Sequence, residues 1–190
     1  MKMRKRLIES VLGCTFLAAM AASASATTLL HMPVAKMTEI AKVILRARCD
    51  GNSTSWDAGE IWTFATFDAQ EIWKGSLPER FNVRLLGGRL GNITSSVSGV
   101  PRFSPGEDVV LFLEPTPRGD FSIIAWEEGT FRVRRDPRSA EPLVTQDTAA
   151  FGTFDPPTRQ FRTEGIVRMP LSAFRARVVQ LVGSGAGGER

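Results

Sequence analysis

The sequence predicts a mainly β domain: a small antiparallel barrel of five to six strands, with a short helix before it and an amphipathic helix after it. Three observations carry that expectation. The stretch 59–75, Gly-Glu-Ile-Trp-Thr-Phe-Ala-Thr-Phe-Asp-Ala-Gln-Glu-Ile-Trp-Lys-Gly, is rich in aromatic and β-branched residues, lacks proline and is closed by glycine at each end, so it reads as one long strand. Its apolar residues fall on both faces, Ile61, Ala65, Phe67, Ala69 and Trp73 on one and Trp62, Phe64 and Ile72 on the other, which is the pattern of a strand covered on both sides. Val109-Val110-Leu111-Phe112-Leu113 is an almost uninterrupted apolar run of the kind found in the middle of a sheet. A slip in the alternation over 68–71 predicts a bulge in the long strand.

At the amino terminus Lys2, Arg4, Lys5 and Arg6 precede an apolar run over 12–22 and then Ser23-Ala24-Ser25-Ala26. A basic region, a short apolar region and a small-residue cleavage site predict an export signal over 1–26 that leaves Thr27 as the first mature residue, in the periplasm or outside the cell. The run is too short for a stable membrane span. The signal holds four of the 24 basic residues and one of the 20 acidic ones, so 20 positive groups face 19 negative ones in the remainder. The overall pI of 9.6 therefore gives no reason to expect a nucleic acid partner. What remains is one domain over 27–182, long enough to bury a core, followed by a glycine-rich tail over 183–190 expected to be disordered. Cys49 is its single cysteine, so packing rather than a disulfide must hold it.

The elements follow in order. Pro33 precedes Val34, Met37, Ile40 and Ala41 at helical spacing, which predicts a short amphipathic helix. Residues 42–49 read as the first strand, 50–58 as a polar connection, and the long strand comes next. Phe81, Val83 and Leu85 alternate with polar groups in a half-buried strand. Residues 87–105 read as a long flexible loop, a candidate working surface because ordered domains seldom keep such loops idle. After the apolar run, 121–126 and 130–134 read as two strands forming a hairpin around Glu127-Glu128-Gly129. A proline-punctuated region follows, with one short hairpin expected between 143–145 and 166–168. Behind Pro170, the spacing of Leu171, Phe174, Val178 and Leu181 predicts a closing helix.

Such a count of strands between two helices suggests a barrel of the oligonucleotide/oligosaccharide-binding (OB) type. The segment 42–48, Glu71-Ile72-Trp73-Lys74-Gly75, Pro105-Gly106-Glu107-Asp108 with the apolar run behind it, and Gly119-Asp120-Phe121-Ser122-Ile123 together resemble the netrin-like module, the family that includes the tissue inhibitors of metalloproteinases. The resemblance spans about residues 42–133 and implies an OB-like fold and a protein partner, with protease inhibition as one form of that partnership. Those inhibitors meet their target's zinc through an N-terminal cysteine pinned by disulfides. This chain departs from that pattern, since Thr27 is the expected first residue and no cysteine fastens it.

Enzyme chemistry finds little purchase. The single histidine, His31, falls in a segment expected to be mobile, and with one histidine and one mature cysteine no His-based zinc site can form, so neither metal nor cofactor is expected. Cys49 reads as a semi-buried small residue with no histidine to activate it. Glu107-Asp108 and Glu127-Glu128 offer paired carboxylates for a carboxylate-based enzyme, but beside glycine they read as solvated turns. Of the four tryptophans, Trp62 and Trp73 are expected in the core, and Trp56, in a polar stretch, as an exposed contact residue. The expected role is an exported, non-enzymatic binding module that holds a protein through barrel-edge loops, with a polysaccharide or cell-envelope ligand as the alternative. Its surface residues are Trp56, Arg89, Leu90 and Arg102.

Overall fold

The computed structural model describes residues 31–150, 153–155, 159–162 and 165–185, and the expected signal over 1–26 lies outside them. Two α-helices and twelve strands follow in the order α1 (Val34–Ile40), β1 (Val43–Asp57), β2 (Glu60–Lys74), β3 (Arg80–Leu86), β4 (Gly88–Leu90), β5 (Ile93–Ser95), β6 (Asp108–Pro115), β7 (Phe121–Ile123), β8 (Thr130–Arg134), β9 (Leu143–Gln146), β10 (Thr153–Asp155), β11 (Gln160–Arg162), β12 (Met169–Pro170) and α2 (Leu171–Gly185). Eight strands pair in one sheet in the order β1-β2-β3-β7-β6-β8-β9-β12, more than the five to six expected. β6 also pairs with the first half of β1, from Val43 with Leu113 to Arg48 with Asp108. The pairings from β1 through β2, β3, β7 and β6 thus return to β1, all antiparallel except β3 with β7, which meet in parallel at Val83 and Phe121.

The long strand exists as expected. β2 pairs with β1 down to a tight turn at Ala58 and Gly59, both of positive φ, which is the turn geometry that matches strand twist. The register omits Gln70 and Trp73 in β2 and Asp50 in β1, so the slip expected over 68–71 is a bulge at Gln70. The polar stretch 50–58, by contrast, is not a connection. Apart from Ala58 it is the second half of β1, and it looks like a loop in sequence because beyond Cys49 the strand no longer faces the core. Pairing with β2 satisfies its backbone, and Ser, Thr and Asn suffice for its side chains.

Two apolar clusters share the central strands. Val43, Leu45, Ala47 and Cys49 of β1 and Val109, Leu111 and Leu113 of β6 point to one side, against Phe67, Phe81, Val83 and Leu85. Ile44, Val110 and Phe112 point to the other, where Met37 of α1 and Phe174 and Val178 of α2 cover them. The strands shielded on both faces are therefore β6, as its apolar run predicts, and the start of β1 at Ile44, beyond which Arg46 is half-buried and Arg48 exposed. The expectation that β2 is covered on both faces is corrected. Its second face carries no layer: Ile72 is exposed, Trp62 and Phe64 are half-buried, and Trp73 alone joins the second cluster, edge-on to Phe174 at 6.0 Å. Within that cluster Phe131 lies 5.4 Å from Phe112 and 4.7 Å from Phe174, and each such ring contributes about 2–3 kcal/mol by leaving water.

Three further expectations change. β7 and β8 do not form a hairpin; both lie along one edge of β6, β7 opposite Leu113–Pro115 and β8 opposite Asp108–Leu111. Between them Ala125 and Trp126, both at φ 52, lift the chain off β6 into a single 3-10 turn, Trp126–Gly129, that sets it down again. Gly129 is required there, since a Cβ would stand 2.1 Å from the Ile124 carbonyl oxygen. The expected loop 87–105 contains the β4–β5 hairpin and then sends Val100 and Phe103 into the first cluster, with Phe103 edge-on to Phe67 at 5.0 Å. Its apolar residues are spaced too irregularly to read as an element. The closing helix forms as expected but runs through Gly183 to Gly185, three residues assigned above to the tail. Of the short hairpin expected between 143–145 and 166–168, the first strand forms as β9, but its partner is β12 at Met169–Pro170, and the β10–β11 pair intervenes.

Candidate binding edge

Beyond Cys49 the β1–β2 ribbon leaves the shared core, and the β4–β5 hairpin lies against it. The Gly87 amide donates to the Ile61 carbonyl at 2.7 Å and the Thr63 hydroxyl to the Gly87 carbonyl at 2.8 Å. Gly88 fits so closely that an added Cβ would come within 2.3 Å of Thr63 Oγ1. On the return from the hairpin, the Asn52 amide donates to the Phe103 carbonyl at 2.8 Å, so a polar side chain of the ribbon holds a residue of the core. These contacts fix what sequence alone reads as two loops into one rigid edge.

Three of the four expected contact residues lie along this edge, in two separate hollows. Arg89 of β4 and Arg102 line a hollow of about 190 Å³ with Asn52, Thr54, Thr63 and Phe103. Arg89 donates to the Gly91 carbonyl at 3.2 Å and Arg102 to the Ser95 carbonyl at 3.3 Å, and neither charge meets a carboxylate among the described residues. Trp56 lies at the ribbon tip, 55% exposed, and shares a second hollow of about 300 Å³ with Ile93, which is 52% exposed, and with Ile61, Leu86 and Val97. Leu90 pairs with Ile93 across the hairpin, is half-buried and lines neither hollow. Ile93 was missed by sequence, since it sits within an Asn-Ile-Thr run that reads as a loop.

Arg84 was missed as well. Its guanidinium stacks 4.8 Å from the Trp62 ring and 5.4 Å from Phe64, and its Nε donates to Asp120 at 2.8 Å. Asp57, at the tip of the ribbon, approaches Arg84 at 3.6 Å and also accepts from Arg118. One side chain thus covers the Trp62 and Phe64 part of the second face of β2, with Ile72 left exposed, and ties the 116–120 turn to the ribbon. The cue in sequence is only that Arg84 alternates with Val83 and Leu85; which rings it meets depends on the β2–β3 register, where it lies opposite Phe64.

The carboxylates sit elsewhere and are not solvated turns. Glu128 is 1% exposed; it accepts from the Met32 amide at 2.5 Å and lies 3.0 Å from His31 Nδ1, so the histidine expected to be mobile is fastened to the 3-10 turn. Beside it, burial pushes the Glu127 carboxyl up to about 7, helped by the negative charge of Asp147 and opposed by Arg132. Its Oε2 is buried without a hydrogen-bond partner. Arg132 binds Glu107 at 2.5 Å and Asp147 at 2.6 Å and stacks on Phe103 at 4.7 Å, and Asp108 pairs with Arg46, so the Glu107-Asp108 pair is structural too. Glu127 can hold a proton near neutrality, yet it lines none of the hollows described here. Cys49 is buried rather than half-exposed, and burial raises its thiol above the usual range.

No group of three or more histidine, cysteine or acidic residues is placed to hold a metal ion among the described residues, and no helix there is long and apolar enough to cross a membrane. No family model matches the sequence, and comparison with curated proteins returns no relative.

Proposed function

We propose that this chain is an OB-type barrel acting as an exported, non-enzymatic binding module that grips a protein partner at the edge formed by the ribbon tip and the β4–β5 hairpin. The cyclic order β1-β2-β3-β7-β6, with its one parallel contact between β3 and β7, supports the barrel. The netrin-like resemblance belongs to the same proposal and favours a protein ligand. The observation that carries the function is the exposure of Trp56 and Ile93 in one hollow, which Glu60 also lines, with Arg89 and Arg102 in a second hollow along the same ribbon and hairpin. Large apolar side chains held on a rigid edge without a covering layer, with arginines at the rim, are the composition of a contact centre.

Capture from the exported fraction with the purified chain tests this reading. A stoichiometric protein retained by the parent and lost from Trp56→Ala is expected. Trp56 is also a flat ring on which a sugar could stack, so Trp56-dependent retention on polysaccharide, without any protein, turns the assignment to a carbohydrate module.

A further inference from the structure

A second surface adjoins that edge through Arg132, which stacks on Phe103 and donates to the Arg102 carbonyl at 2.7 Å. Arg132 of β8 faces Thr145 of β9 in register, and Arg134 faces Leu143, so these four side chains share one face of the sheet. That face floors a groove of about 380 Å³ walled by Arg135, Asp136 and Arg168. The charges are unequal. Asp147 is matched by Arg132, which also holds Glu107, and Asp136 by Arg168 together with the Arg138 amide, an arrangement that lowers the Asp136 carboxyl. The Arg134 and Arg135 side chains are exposed and have no carboxylate partner among the described residues. Four guanidinium groups, Arg132, Arg134, Arg135 and Arg168, thus meet three carboxylates, Glu107, Asp147 and Asp136, a surplus of one positive charge, and Arg134 and Arg135 carry it without an ion pair among the described residues, beside a floor made by Leu143 and Thr145.

We propose that this groove binds an acidic peptide segment of a partner protein, with its carboxylates on Arg134 and Arg135. Guanidinium forks match carboxylates two bonds at a time, and a groove of this size holds a few residues of extended chain. Nucleic acid fits less well. Its single strands bind where exposed rings stack bases along a continuous basic track, and no aromatic residue lines this groove. The inference can be tested apart from the edge reading, because Arg134 and Arg135, which carry it, line neither hollow of the edge.

Fluorescence anisotropy of labelled hexaglutamate with the full chain provides the test. Saturable binding is expected that weakens by about tenfold in Arg134→Gln/Arg135→Gln, falls with added salt, and is unchanged in Trp56→Ala. Both arginines are exposed, so the double variant retains its fold. Equal affinity of parent and double variant, or no saturation at millimolar peptide, overturns the proposal. Tighter binding of oligothymidylate through the same two arginines overturns it in favour of a nucleic acid.

Discussion

The two halves of β1 behave as different materials. From Ile44 to Arg48 the strand is paired on both edges, by β2 and β6; Val43, Leu45, Ala47 and Cys49 bury its core face, and Ile44 packs on the other. From Gly51 to Asp57 it is paired with β2 and stands in or near solvent. A continuous backbone thus links a region where nearly every side chain contributes to stability with one where large side chains stay exposed. Burial at one end of this strand pair supplies stability, and the other end leaves Trp56 uncovered, where the recognition proposed above would sit.

Substitutions that act on only one end sharpen the contrast. Phe131→Ala opens a cavity between Phe112 and Phe174 and is expected to cost about 3–5 kcal/mol in urea unfolding. Gly88→Ala drives a Cβ into Thr63 and Thr54 at a φ of 144°, and is expected to lift β4 from the ribbon for about 2 kcal/mol. Partner capture should fall with it while Phe112 and Phe174 stay packed, which near-ultraviolet circular dichroism and pull-down read together. If Gly88→Ala unfolds the whole chain cooperatively, the two halves are one stability unit and the contrast fails.

Glu127 offers a smaller and pH-dependent effect. Its folded value near 7 lies above the ordinary 4.5, so the folded state holds a proton that the unfolded chain gives up more readily. The stability it contributes is complete below about pH 4.5 and is lost as pH rises through about 7. Glu127→Gln should therefore gain about 1 kcal/mol over the parent at pH 8 and little at pH 5, the figure being kept below the full linkage value because the carboxyl is partly screened by solvent. Melting temperatures of the two proteins at those pH values measure the difference; parallel pH profiles would refute the assignment.

Much of the strand content was legible because strands with a core face announce themselves. Val109 to Leu113 and the alternation at Phe81, Val83 and Leu85 identify β6 and β3 directly. The failures share a cause: Ser53, Thr54 and Ser55 form strand without any apolar face, and Val100 and Phe103 are core without any regular period. Of the residues at the proposed edge, Trp56 was legible as a large ring in a polar stretch, and its exposure agrees with that. Its neighbour Ile93 was not, because their approach depends on how β4–β5 lies against the ribbon.

Periodicity along the chain determined which stretches extend, which coil, and that β6 sits in the middle, since apolar spacing is a local property written residue by residue. Which face of β2 remained open, which arginine covered Trp62, and that Glu128 would be buried beneath His31 were decided only when strands found their register. Those outcomes depend on pairs such as Arg84 with Phe64 and His31 with Glu128, and no local pattern encodes a partner so far along the chain.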